Sequence, residues 1–242
     1  MPASAIKKVL GIMTVFSIAM GFLESAVVIY LREIYYPAGF AFPIHPLTGS
    51  VALTEILRET ATILMLLSVG FLAGRNLRER FAWFLYAFAI WDIFYYVFLK
   101  LLIQWPESIM TWDILFLIPV MWTGPVITPL AVSATMILMS LIILHFERKD
   151  LRIDLRWHTP VMIFAGSILI FTAFIWDFCT FVMTDFSLSD MLRAESSRLI
   201  LQLYVPVKFN WSLFVSGEVI ILAGLYRLLA GYRKAQLKQS IL

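Results

Sequence analysis

Glu24, Glu59, Asp92, Asp177 and Glu218 stand inside or beside apolar runs long enough to cross a bilayer. An ionised carboxylate at that depth costs about 2.5–3.5 kcal/mol on insertion scales, so each marks a candidate functional position. The chemistry open to such groups is proton transfer, cation binding or pairing with a buried base. The densest unit is TEILRETAT, residues 54–62. Glu55 and Glu59 are i, i+4 and share a helix face. They repel unless a proton, a cation or a basic partner intervenes, and Arg58 lies beside them. The alternative for Glu55 is an interfacial ion cluster; the deeper Glu59 favours a functional role.

A second unit is WDIFYYVFLK, residues 91–100. Asp92, Tyr96 and Lys100 fall at i, i+4 and i+8. Eight residues rise ~12 Å, so Tyr96 would have to bridge the two charges. Alternatively Lys100 snorkels to the headgroups while Tyr95 and Tyr96 join an aromatic belt. Farther on, Asp177 shares a face with Thr180, Phe181 and Thr184, and Lys208 with Trp211, Val215 and Glu218. Arg32 and Glu33 read as interfacial flanks. Glu59 and Asp92 are the expected acid/base or metal-ligating groups, with Arg58 and Lys100 as anion-binding groups. Glu24, Glu55, Tyr96, Asp113, Asp177, Lys208 and Glu218 complete the expected ligand-binding set.

The elements that must position these residues follow from composition. Of 242 residues, 61% are hydrophobic and 14% charged, against about 25% charged in a soluble domain. Mean hydropathy is +0.88. Six continuously apolar segments, near 9–31, 51–73, 81–103, 126–146, 159–183 and 207–229, each reach the roughly 20 residues a span needs. Helix is the expected form, because lipid offers no partner to open strand edges. The expectation is an all-α, six-helix transmembrane bundle forming one domain over residues 1–242. Pro106, Pro119, Pro125 and Pro129 interrupt 105–129, where a short interfacial helix near 107–118 is expected before helix 4, with Asp113 facing inward. Trp-Asp recurs at 91–92, 112–113 and 176–177, a hint that helices 2–3 and 4–5 are duplicated hairpins.

Thirteen of the nineteen Lys and Arg residues fall on one side of this topology, with four of the sixteen acids. They include Lys7, Lys8, Arg75, Arg78, Arg80, Arg148, Lys149, Arg152, Arg156, Arg227, Arg233, Lys234 and Lys238. The positive-inside rule then puts both termini in the cytoplasm. The pI near 9.0 reflects topology and implies no nucleic-acid partner. The carboxyls lie at or outside the midplane, above nearly uncharged cytoplasmic halves. That pattern predicts a pocket open to the extracytoplasmic side.

Three histidines, His45, His145 and His158, argue against bis-His haem and multi-His zinc sites. A divalent-cation site built from Glu24, Glu55, Glu59 and His45 is chemically admissible. No zincin, nucleophile-elbow, Walker or dinucleotide motif occurs. Cys179 is the only cysteine, so it has no intrachain disulfide partner.

The runs GFLESAVVIYLRE, WDIFYYVFLK and WDILFLIPVMWTGPV resemble those of uncharacterised bacterial multi-pass membrane proteins. The resemblance covers helices 1–4 and implies a bacterial inner membrane; it brings no activity. The expected function is binding of, or action on, a polar, headgroup-like ligand or a cation from the extracytoplasmic side. A proton-coupled transporter and an assembly subunit of a membrane complex are the alternatives. The expected partners are the bilayer and a lipid or small molecule.

Overall fold

The computed structural model describes residues 3–45, 47, 49–147, 157–186 and 194–239. Arg148, Lys149, Asp150, Arg152, Asp154 and Arg156, which entered the charge count, lie outside them. Six helices are long and apolar enough to cross a membrane, the architecture of a multi-pass membrane protein. They are α1 (Ala3–Tyr35), α2 (Gly49–Ala73), α3 (Leu77–Ile103), α4 (Ile127–Glu147), α5 (His158–Asp185) and α7 (Trp211–Gln239). A shorter helix, α6 (Ala194–Leu203), precedes α7. Large apolar side chains such as Leu72, Leu64, Phe164 and Tyr226 face outward, as a lipid-solvated surface allows.

The expected interfacial helix near 107–118 is absent. The chain instead forms an antiparallel hairpin, β1 (Trp112–Phe116) with β2 (Trp122–Pro125), pairing Asp113 with Gly124. Backbone bonds from Val126 to Thr111 and from Ile127 to Ile109 extend the ladder. The reason lies in the prolines: Pro106, Pro119 and Pro125 remove donors on both sides of WDILF, a run of aromatic and aliphatic residues suited to a strand. An open hairpin is tolerable here because protein surrounds it: α4, α5 and α6 contribute the residues that cover it.

Helix α3 is the organising element, packing against α1, α2 and α4, while α5 pairs with α7. Glycines permit the closest approaches. A Cβ at Gly21 would lie 2.9 Å from the Trp91 carbonyl oxygen of α3. Gly166 and Gly217 face each other across α5 and α7, each within 2.7 Å of the other's carbonyl oxygen by the same measure. The start of α3 is capped by Asn76, whose side chain accepts from the Glu79 amide at 3.0 Å. The duplicated-hairpin expectation fails, since α2 packs on α3 whereas α4 takes α3 and α7 as its main partners.

Candidate functional site

A cavity of about 610 Å³ occupies the hairpin end of the bundle. It lies among α1, α2 and α3, with residues of 36–45, Leu47, the hairpin, Phe178 and Leu201 completing its lining. Its size falls in the ~300–1,000 Å³ range of small-molecule sites. Of the residues singled out by sequence, Glu24, His45, Glu55, Arg58, Glu59, Asp92, Tyr96 and Asp113 line it.

The α1–α2 wall is an ionic triad. Arg58 grips Glu55 through two bonds, Nε to Oε2 at 2.9 Å and Nη2 to Oε1 at 2.5 Å. Its Nη1 donates to Glu24, whose other oxygen accepts from Thr62 at 3.4 Å. Glu55 and Glu59 do share the expected face, but Arg58 serves Glu55 and the partner from α1. Removing one member of such a pair strands a charge at a cost of about 3–5 kcal/mol. Glu59 turns aside from the triad: its Oε2 accepts from the Leu117 amide at 3.1 Å, tying α2 to the hairpin.

The opposite wall joins α1, α3 and β1. Arg32 Nη2 donates to Asp113 Oδ1 at 3.3 Å, and the Tyr96 hydroxyl donates to Oδ2 at 3.1 Å. The guanidinium lies over the rings of Trp105, at 3.7 Å, and Phe40, at 4.6 Å. Burial pushes the Asp113 carboxyl up to about 6, with Arg32 and the Tyr96 hydroxyl pulling it down. Asp92, one helical turn below Tyr96, accepts from Ser133 of α4 at 2.8 Å.

Arg32 is therefore a buried member of the cavity wall rather than an interfacial flank. Its partner Asp113 is 81 residues away, so no local spacing could have matched them. Tyr95, expected in an aromatic belt, and Tyr36 also line the cavity. Burial raises the Tyr36 phenol above its ordinary value.

Four expected site residues stand elsewhere. Lys100 Nζ donates to the carbonyls of Gln104 and Pro106, at 3.3 and 2.8 Å, closing the end of α3. A cation at a helix C-terminus meets carbonyls left without intrahelical donors, so this seat follows from helix geometry. Asp177 accepts from the Tyr204 hydroxyl at 3.0 Å and from the amides of Val207 and Lys208 at 3.1 Å each. It anchors the chain between α6 and α7. Because Tyr204 spends its proton there, the Thr123 hydroxyl must donate to Tyr204 at 2.8 Å, which fastens β2 to the segment that follows α6. The Lys208 side chain is exposed. Glu218 lies on α7 and accepts from Thr135 of α4 at 2.8 Å, leaving Oε1 buried without a partner.

The expected metal set does not assemble. Among the described residues no three His, Cys, Asp or Glu side chains converge as ligands. Glu24 and Glu55 are taken by Arg58, and the His45 ring lies tilted against Tyr36, with its backbone amide donating to the Tyr36 hydroxyl.

Beyond Asp92 and Glu59, away from the hairpin, the bundle closes. Met13, Met20, Leu66, Trp83, Ala87 and Trp91 form a buried apolar layer. Cross-helix polar contacts among the described residues here join the Thr14 and Tyr86 hydroxyls at 2.8 Å and the Ser140 hydroxyl to the Ala82 carbonyl at 2.7 Å. Comparison with protein-family models, curated proteins and solved structures finds no match.

Proposed function

We propose that this chain is a ligand-binding membrane protein whose cavity opens toward the extracytoplasmic side and receives an amphipathic molecule by its polar end. One observation carries the reading: a ligand-sized cavity in which apolar walls, from Val28, Ala52, Ile56 and Leu117, meet buried charged groups on three helices and a hairpin. A polar headgroup would meet the charges while its tail lies along the apolar wall. The sidedness rests on the basic residues at the opposite end, which favour a cytoplasmic location for both termini in a bacterial inner membrane.

Native mass spectrometry of the protein released from its membrane tests the reading. The wild type should carry a small molecule or lipid that the Glu59→Gln, Asp92→Asn double variant loses while keeping its helical content by circular dichroism. If the folded double variant keeps the same occupant, these carboxyls are not its seat.

Proton-coupled transport is the second reading, favoured by one observation: Glu59 and Asp92 make no ion pair among the described residues and could exchange protons. It predicts pH-driven flux in proteoliposomes. The apolar layer below the cavity requires a second conformation for any such passage.

A further inference from the structure

The charge class of the ligand follows from how the cavity wall is already spent, given the ligand-binding reading above. Five carboxyls line the cavity, those of Glu24, Glu55, Glu59, Asp92 and Asp113, against two guanidiniums. Both guanidiniums are engaged. Arg58 is divided between Glu24 and Glu55. Arg32 is paired with Asp113 and its guanidinium lies against two aromatic faces, with Nη1 buried and without an acceptor among the described residues. Lys100 and Lys208 are outside the cavity. An anion entering this space would meet one open cationic donor, Arg32 Nη1, and, among the described lining residues, three carboxyls in excess of the guanidiniums.

Glu59 and Asp92 are in the reverse position. Glu59 is 9% exposed, and each of the two has one oxygen held by a neutral donor, the Leu117 amide or the Ser133 hydroxyl. Neither has a basic side chain in ion-pair range among the described residues. A carboxyl withdrawn from water is neutralised either by a proton or by a counter-charge, and a cationic ligand supplies the second. Trp91, Tyr95, Tyr96 and Phe178 line the same space, and aromatic faces attract ammonium groups. We infer that the cavity takes a cationic ligand, an organic ammonium, seated by the free oxygens of Glu59 and Asp92 and by the surrounding aromatic rings.

The test uses the full chain in nanodiscs of a zwitterionic lipid, titrated by calorimetry with octylammonium, octyl phosphate and butylammonium, with protein-free nanodiscs subtracted. Octylammonium should bind tighter than octyl phosphate by roughly tenfold or more. Glu59→Gln and Asp92→Asn should each weaken octylammonium by roughly tenfold, while Lys100→Gln leaves it unchanged. The comparison within the wild type depends on no variant folding. Octyl phosphate binding as tightly as octylammonium overturns the cation assignment and leaves the amphiphile reading intact. Octylammonium binding that survives both carboxyl substitutions overturns the proposed seat. Butylammonium binding as tightly as octylammonium supports the cation assignment, points to a soluble amine and removes the amphiphile reading. Failure of all three probes to bind ends both.

Discussion

At the scale of single residues, the buried charges divide by the company they keep. Arg58 is neutralised by Glu55 of its own helix and Glu24 of α1, and Arg32 by Asp113 of β1, whereas Glu59 and Asp92 hold only neutral donors. Asp113 shows the energetic balance most directly. Its ordinary value of 3.8 rises to about 6 because burial outweighs Arg32. The folded protein thus keeps this proton to higher pH than the unfolded chain does. Its contribution to stability falls as pH rises through that window and is regained as pH falls. Wild type should therefore gain stability relative to Asp113→Asn as pH is lowered from about 7 to about 5. Thermal unfolding in detergent at both pH values measures this; a gap that stays constant, or narrows in wild type's disfavour, refutes burial as the dominant influence.

At the scale of elements, the site depends on backbone features with no polar signature. Gly166 and Gly217 let α5 and α7 touch through their backbones. A methyl group at Gly166 would lie 2.6 Å from the Gly217 carbonyl oxygen and from Ile221. Gly166→Ala should lower stability by about 1–3 kcal/mol, the range for overpacking. Gly11→Ala, with nothing within 4 Å, should be neutral or stabilising. Equal tolerance of the two substitutions, read by thermal unfolding, would disprove the close α5–α7 contact. The hairpin is the other such element. Asp113 to Arg32, Leu117 to Glu59 and Thr123 to Tyr204 bind it to α1, α2 and the segment after α6. Its three ties reach elements far apart in the chain.

At the scale of the whole molecule, polarity is unevenly distributed along the bundle axis. The carboxyls and guanidiniums of the cavity gather at the hairpin end, and an apolar layer closes the bundle beneath them. If that end faces outward, a single cysteine at Ser108 in a Cys179→Ser background should react with a membrane-impermeant maleimide in intact cells. A cysteine at Leu77, exposed near the other end, should react only after the membrane is opened. The reverse pattern would invert the topology and place the cavity on the cytoplasmic side.

The sequence by itself determined the six spans, because apolar length is a local property that a bilayer reads directly. It also marked Glu24, Glu55, Arg58, Glu59 and Asp92 as cavity residues, because an intramembrane charge is costly wherever it points. Only the tertiary structure decided which of the marked charges are spent. Asp177 and Lys100 satisfy backbone groups at chain ends, and local sequence does not distinguish that task from ligand binding. Arg32 looked like a flank because its partner lies on a strand 81 residues later. The segment expected as an interfacial helix is a hairpin because proline removes the amide donors a helix there would need. Pairing across distant segments is set by packing, and packing leaves Glu59 and Asp92 as the cavity-lining carboxyls without an ion pair among the described residues.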